Sequence, residues 1–173
     1  MSVFVVSDLH LGHKNVIKWS PTRGGYCVET HDNWIIERWN SVVAKRDVVW
    51  VLGDVAFSAE GLAKVSRLNG YKYLVSGNHD KYAVEKYMEH FKIKPGICRL
   101  KGIWLTHAPI HPSELRGRLN AHGHVHDNSV LAGDGKPDPR YYNTCVEACD
   151  GRPIPIEKLI ERKLKHGLDG YYD

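Results

Sequence analysis

The sequence predicts a layered α/β fold, because two patterns alternate along its 173 residues. Five short apolar runs each end at a polar residue or a glycine, and segments with a helical period of about 3.6 residues lie between them. Near-continuous apolar runs indicate strands that are buried on both faces of a sheet. Strands that alternate with helices are typical of an α/β layered domain.

The predicted strands are short and bounded by turn residues. In chain order they are Val3–Val6, Val48–Leu52, Tyr71–Val75, Ile103–Leu105 and, with a weaker pattern, Leu119–Ala121. Four segments between or after them have helical spacing: Trp34 to Val43 after a candidate N-cap at Thr30, Leu62 to Leu68, Tyr82 to Phe91, and Pro155 to His166. Gly167 is placed to end the last helix.

The composition is that of one globular domain over residues 1–173, with 42% hydrophobic and 25% charged residues. No apolar run approaches the roughly 18–20 residues of a membrane span, so no membrane partner is expected. The four cysteines form no C-x-x-C pair and no secretion signal is recognisable, so we expect a reduced, cytoplasmic protein. The net charge of +4 permits a nucleic-acid partner but does not indicate one, and the oligomeric state is left open.

Each predicted strand is followed directly by acidic, amide or histidine residues. The five motifs are Asp8-Leu-His10, Gly53-Asp54, Gly77-Asn-His-Asp80, Thr106-His107 and Gly123-His-Val-His126. Because ligands bind beyond the carboxyl ends of the strands in α/β sheets, we expect these side chains to meet at one rim.

The expected rim offers oxygen and imidazole donors and no thiolate. Its donors are Asp8, His10, Asp54, Asn78, His107, His124 and His126. Such a set suits Mn, Fe, Zn or Ni better than Ca or Mg. Seven donors are too many for one tetrahedral ion, but they suffice for two ions if one carboxylate bridges. Two ions about 3.5–4 Å apart can clamp both oxygens of a displacement at phosphorus.

The order of these motifs, from residue 8 to residue 126, resembles the calcineurin-like metallophosphoesterases. The resemblance implies a four-layer α/β/β/α sandwich with mixed sheets and a dinuclear metal site at the carboxyl ends of the strands. It assigns the donors as follows: Asp8, His10 and His126 to one ion, Asn78, His107 and His124 to the other, and Asp54 as the bridge. The expected cofactor is two divalent ions, foremost Mn, with Fe, Zn, Ni or Co as alternatives.

The resemblance also implies a hydrolase acting on phosphoric esters, in which a hydroxide bridging the two ions attacks phosphorus. His79 would stabilise the transition state or protonate the leaving oxygen, and Asp80 would orient His79. The second motif lacks the additional Asp and Arg that protein phosphatases of the family carry, since it reads Gly53-Asp54-Val-Ala-Phe-Ser58. We therefore expect a compact single-domain phosphodiesterase that acts on a nucleotide or another small phosphodiester.

Other functions remain open at this point. The alternatives are a phosphomonoesterase or nucleotidase, a nuclease and, less favoured, a non-catalytic protein-binding module on the same fold. His13, Lys14 and His111 lie close to the motifs in sequence, and we expect them at the mouth of the pocket as candidates for substrate contact. His31 lies on a helical pattern and is expected at the surface, whereas Glu147 is expected in a strand at the sheet edge.

Overall fold

The structure is a computed structural model that describes residues 1–20, 22–24 and 27–170. Its strands are β1 (Val3–Val6), β2 (Val48–Val51), β3 (Tyr71–Val75), β4 (Lys92–Lys94), β5 (Ile97–Leu100), β6 (Ile103–Thr106), β7 (Asn120–His122), β8 (Tyr141–Asn143) and β9 (Ile154–Pro155). Its α-helices are α1 (Val16–Trp19), α2 (Val28–Asn40), α3 (Ala59–Ala63), α4 (Val84–Met88) and α5 (Ile156–Lys165). Short 3₁₀ helices cover Lys64–Arg67 and Pro112–Glu114.

The strands form two mixed sheets. The larger has the order β4-β3-β2-β1-β9, with β9 antiparallel to β1 and the other pairs parallel. The smaller has the order β5-β6-β7-β8, with β5 antiparallel to β6. The predicted α/β class with two mixed sheets is confirmed.

Alternating side chains of the larger sheet build two cores. One face contributes Phe4, Val6, Val49, Val51 and Leu74 to a core with residues of α2, α3 and α4. The opposite face packs against the smaller sheet, and this core contains Val5, Trp50, Leu52, Val75, Ile103, Leu105, Leu119 and Ala121. Helix α5 adds Ile156 and Leu159 to the core between the sheets.

A loop with one 3₁₀ turn covers the outer face of the smaller sheet. Trp104, Asn120 and Tyr141 are register partners on adjacent strands. All three hydrogen-bond to the segment from Ile110 to Leu115. The fourth layer over these strands is therefore thin.

Several elements differ from the sequence expectations. Helix α2 begins after Cys27, and Thr30 lies at its third position, where its hydroxyl accepts a bond from the Cys27 amide (3.0 Å). The strands β4, β5 and β9 are not among the predicted strands. Lys92-Ile-Lys94 has too little apolar content, Arg99 interrupts β5, and β9 contains Pro155. Among the described residues, no helix is long and apolar enough to cross a membrane.

Candidate metal centre

Five predicted ligands have left-handed backbone conformations at the ends of their strands. The φ angles are 58° at Asp8, 53° at His10, 55° at Asp54, 72° at His124 and 52° at His126. Residues other than glycine adopt this region rarely, at a cost of about 1–3 kcal/mol each, and such strain clusters at functional sites. The turned backbone directs the side chains of separate strands toward one another.

The first group of convergent donors consists of Asp8, His10 and His126, whose ligand atoms all lie within 4.8 Å of one another. Nε2 of His10 lies 3.7 Å from Oδ1 of Asp8, and Nε2 of His126 lies 3.9 Å from the same oxygen. These are the three residues that the motif resemblance assigns to one ion.

The carboxylate of Asp54 lies between two histidines. Its Oδ2 is 3.7 Å from Nε2 of His10, and its Oδ1 is 3.5 Å from Nε2 of His107. Asp8, Asp54 and His107 form a second group of donors within 4.8 Å. One oxygen of Asp54 thus faces each histidine, which is the arrangement that a bridging carboxylate requires.

His107 presents a lone pair to the second group. Its Nδ1 lies 2.8 Å from the carbonyl oxygen of Leu52, which can only accept, so Nδ1 carries the hydrogen. In the neutral ring, Nε2 then carries the lone pair and lies 2.8 Å from Oδ1 of Asn78; both atoms are acceptors, so the contact suits two ligands of one cation rather than a hydrogen bond. The ring of His124 packs edge-on against His107, with 5.0 Å between centroids, so all three residues assigned to the other ion are neighbours.

Two buried polar atoms of the centre have no hydrogen-bond partner among the described residues: Oδ1 of Asp8 and Nε2 of His10. Burial would raise the pKa of Asp8, but the His10 and His107 rings hold it well below its usual range. Burial lowers the pKa of His10, which favours the neutral ring that metal coordination needs. A divalent cation bound between these two buried atoms would satisfy both of them.

Close approach of the strands to the donors depends on glycine. A Cβ at Gly123 would collide with Oδ2 of Asp8, and a Cβ at Gly77 would collide with Oδ1 of Asp54. The third and fifth motifs therefore need glycine for space around the carboxylates.

His79 lies at the edge of the centre. Its amide donates to Oδ1 of Asp54 (2.9 Å), and its half-buried ring packs against Phe57 with 4.9 Å between centroids. The ring centroid is 6.3 Å from that of His10. The imidazole thus lies next to the expected ligands without being one of them.

The expectation that Asp80 orients His79 is not met. Among the described residues, every hydrogen bond of the Asp80 carboxylate comes from a main-chain amide: those of Gly77 (2.8 Å), Asp54 (3.0 Å) and Val55 (2.9 Å). A half-buried carboxylate is stabilised by such amides, and here they belong to the second and third motifs. Asp80 therefore holds two motif loops together.

The three candidates for substrate contact have different surroundings. His13 lies beside the centre, with its Nδ1 3.1 Å from Nδ1 of His10 and its ring stacked on Phe57 at 4.0 Å. Lys14 is the next residue and is exposed. His111 bonds to Ser113 in the loop over the smaller sheet, and none of its hydrogen bonds with described residues reaches a predicted ligand.

Three residues with buried side chains that sequence reasoning missed, Glu147, Arg23 and His31, form a network behind the ligands. Glu147 bonds to Nδ1 of His126 (2.9 Å) and to Nε of Arg23 (2.7 Å). His31, expected at the surface, is wholly buried, with Nε2 3.3 Å from Arg23 and Nδ1 3.1 Å from Asp32. Arg23 and Glu147 are 124 residues apart and belong to no motif, so no local signal could have paired them.

Comparison with known proteins gives one family match. The model of the calcineurin-like phosphoesterase superfamily domain matches residues 1–136. The chain is 30% identical over 172 residues to an uncharacterized protein of Methanocaldococcus jannaschii, covering 92% of each. It is 29% identical over 168 residues to the gene 66 protein of Mycobacterium phage L5, covering 76% of this chain and 80% of that protein. A crystal structure of a protein of unknown function from Aquifex aeolicus superposes with a TM-score of 0.72 at 27% identity, covering 92% of this chain and 98% of that one.

Proposed function

The chain belongs to the calcineurin-like phosphoesterase superfamily, and from this premise we propose that it is a manganese-dependent phosphodiesterase with a dinuclear centre. The family supports a metal-dependent hydrolase of phosphoester bonds. The observation that carries the finer proposal is the Asp54 carboxylate, whose two oxygens lie 3.7 Å from His10 and 3.5 Å from His107. Separate donors gathered on the two sides of one carboxylate favour two ions rather than one.

The first donor group supplies Asp8, His10 and His126 for one ion, and the second contains His107 and Asp54 together with Asp8. The motif resemblance adds Asn78 and His124, which both neighbour His107, as ligands of the other ion, with Asp54 between the two ions. When bound, two such ions supply Lewis acidity to the phosphoryl oxygens and lower the pKa of a water molecule. Carboxylate oxygen suits manganese, whereas imidazole suits zinc, iron and nickel, so the mixed donor set is compatible with manganese and the turnover assays below compare it with the other metals.

His79 is the proposed proton donor to the leaving oxygen. The hydrogen bond from its main-chain amide to Oδ1 of Asp54 fixes the residue at the rim. The packing of its ring against Phe57 limits where the imidazole can lie. Because the ring is only half buried, a leaving group that departs toward solvent can reach it. General acid catalysis by such a group contributes about 10²–10⁴-fold.

The surroundings favour a diester over a monoester. A monoester carries an additional negative charge, which enzymes commonly bind with arginine. Arg23 donates instead to the carbonyl oxygens of Asp8 (2.7 Å) and Leu9 (3.2 Å) and to Glu147. Its guanidinium is therefore committed to protein groups and does not serve phosphate binding.

An aromatic side of the centre favours a nucleotide substrate. The rings of Phe57 and His13 are stacked, and Trp19 packs edge-on against His13 with 5.2 Å between centroids. Trp19 is 69% exposed, so one face of its indole is accessible beside the centre. Exposed aromatic faces stack on nucleobases. We therefore propose a nucleoside phosphodiester as the substrate class.

The decisive experiment compares bis-p-nitrophenyl phosphate with p-nitrophenyl phosphate, using metal-stripped protein to which Mn²⁺ is returned. We expect Mn²⁺-dependent turnover with a higher kcat/KM for the diester. A higher kcat/KM for the monoester would replace the phosphodiesterase with a phosphomonoesterase. No turnover with Mn²⁺, Ni²⁺, Zn²⁺, Co²⁺ or Fe²⁺ would contradict enzymatic function at this centre.

A further inference from the structure

We propose that Glu147 is a positioning residue that holds His126 in the tautomer and orientation of a metal ligand, with Arg23 fixing both to the first motif. The inference rests on the proposed function only in requiring that the centre binds metal ions. No sequence motif contains Glu147 or Arg23. Both side chains are 0% exposed.

The hydrogen bond between His126 and Glu147 determines which ring nitrogen faces the centre. Nδ1 of His126 lies 2.9 Å from Oε1 of Glu147, and because a carboxylate only accepts, Nδ1 is the donor. Nε2 is the nitrogen that lies 3.9 Å from Oδ1 of Asp8, within the first donor group. A carboxylate that accepts from the remote nitrogen of a ligand histidine is a common means of fixing its orientation.

Arg23 connects Glu147 to the opposite side of the same donor group. Its Nε donates to Oε1 of Glu147, while its two terminal nitrogens donate to the carbonyl oxygens of Asp8 and Leu9. These carbonyls lie in the left-handed turn that presents Asp8 and His10. One guanidinium therefore fixes the position of the Glu147 carboxylate, and through it the His126 ring, relative to the first motif.

The network continues from Arg23 to Gly12, two residues after the end of the first motif. Arg23 contacts His31, which contacts Asp32. The carboxylate of Asp32 accepts bonds from the Gly12 amide and from Lys64 (2.7 Å). Both strand ends of the first donor group are thus tied to one buried set of charges.

Fold stability alone is a weak reason for this arrangement. Burying an ion pair costs desolvation energy, and apolar residues of similar volume often stabilise a fold equally well. The pair between Arg23 and Glu147 is wholly buried, and Oε1 of Glu147 accepts from both Arg23 and His126. That shared oxygen ties the ion pair to a ligand, which favours a role at the centre.

Two substitutions separate positioning from simple neutralisation of Arg23. Glu147→Gln keeps an oxygen that can accept from His126 but removes the charge. Glu147→Asp keeps the charge but is one methylene shorter, so the oxygen withdraws from the ring. Asp138→Asn is the matched control, because Asp138 is a buried carboxylate that pairs with Arg140 (2.6 Å) rather than with a ligand.

The measurement is calorimetric titration of each metal-stripped, full-length variant with Mn²⁺, with circular dichroism to verify folding. We expect a tenfold loss of affinity for one of two ions in Glu147→Gln and a larger loss, up to about a hundredfold, in Glu147→Asp, with Asp138→Asn unchanged. If one Glu147 variant is unfolded, the other is compared with the control alone.

Three results would overturn the inference. The first is wild-type Mn²⁺ affinity in the folded Glu147 variants, and the second is an equal loss of affinity in Asp138→Asn. The third is a smaller loss of affinity in Glu147→Asp than in Glu147→Gln, which is the order expected if the carboxylate only neutralises Arg23. Failure of the unsubstituted chain to bind Mn²⁺ is a different result, since it would contradict the proposed function itself.

Discussion

Nε2 of His10 lies 3.7 Å from Oδ2 of Asp54, so the two buried atoms are neighbours but are too far apart for a hydrogen bond. Nε2 of His10 has no hydrogen-bond partner among the described residues. Two ligands of one metal ion, each about 2.1 Å from it, are separated by roughly 3–3.5 Å. The observed spacing lies just beyond this range, so a cation bound by both atoms would draw them slightly closer, and the predictions below test whether one binds there.

Asp54→Asn should abolish phosphodiester hydrolysis, because it removes the charge that lies between the two donor groups. We expect turnover of bis-p-nitrophenyl phosphate to fall by more than the 10–100-fold typical of residues that only support ligands. Bound Mn²⁺, measured by elemental analysis, should fall below two ions per chain. Asp134→Asn is the control, since that side chain is 60% exposed. Wild-type turnover in Asp54→Asn would show that the bridge is assigned to the wrong residue.

His79→Ala should lower kcat while leaving the metal content intact, because His79 lies beside the ligands and is assigned proton transfer. We expect a loss of about 10²–10⁴-fold with poor leaving groups such as alkoxides. The loss should be smaller for p-nitrophenolate, which departs without a proton. Rates for a series of leaving groups test this. An equal loss across the series would argue for a role other than general acid.

Trp19→Ala should weaken binding of substrates that carry a nucleobase. Stacking on an aromatic side chain contributes about 1–3 kcal/mol per base, so we expect KM for thymidine 5′-(p-nitrophenyl phosphate) to rise roughly tenfold. KM for methyl p-nitrophenyl phosphate should not change, and Trp19→Phe should restore most of the affinity. Tyr71→Ala serves as the control, because Tyr71 is 65% exposed at the start of β3. Equal changes for both esters would contradict the nucleotide proposal.

Gly123→Ala should destabilise the protein and weaken metal binding together, because the added Cβ would collide with Oδ2 of Asp8. Overpacking of this kind costs about 1–3 kcal/mol, which denaturant unfolding measures. Gly133→Ala is the matched substitution, since nothing lies within 4 Å of a Cβ there. If both variants have wild-type stability and bind Mn²⁺ normally, the strand ends are less closely packed around Asp8 than the structure indicates.

Asp138→Asn should reduce stability at neutral pH but not in strong acid. The hydrogen bonds from Arg140 lower the pKa of Asp138 in the fold. A carboxylate with a lowered pKa stabilises the fold above its ordinary value of 3.8, and that contribution is lost as the pH falls through the lower, folded value. Because Arg140 is 40% exposed, we expect a difference of only about 1 kcal/mol at pH 7. Urea unfolding at pH 7 and pH 3 measures it, and the difference in free energy of unfolding should be smaller at pH 3. A difference that is larger at pH 3 would contradict the prediction.

Much of the fold and of the donor set could be predicted from local patterns. The run Tyr71–Val75 is found as a strand with the same bounds, because four of its five residues are aliphatic or aromatic and its last two, Leu74 and Val75, are buried in the parallel sheet. Lys92–Lys94 has no such run and pairs with β3 at the sheet edge, so only the assembled sheet identifies it. Metal donors are similarly predictable, since the side-chain types and their order after strands are properties of the chain itself.

By itself, then, the sequence determined the α/β class and the types of metal donor at the strand ends, and it predicted which residues would bind the ions. Only the tertiary structure decided how those residues are supported: that Asp80 binds main-chain amides rather than His79, that His31 is buried, and that Glu147 pairs with His126 and Arg23. The physical reason is distance along the chain. A strand or a ligand motif is encoded by neighbouring residues, whereas a hydrogen bond between residues 124 positions apart exists only after the sheets have packed.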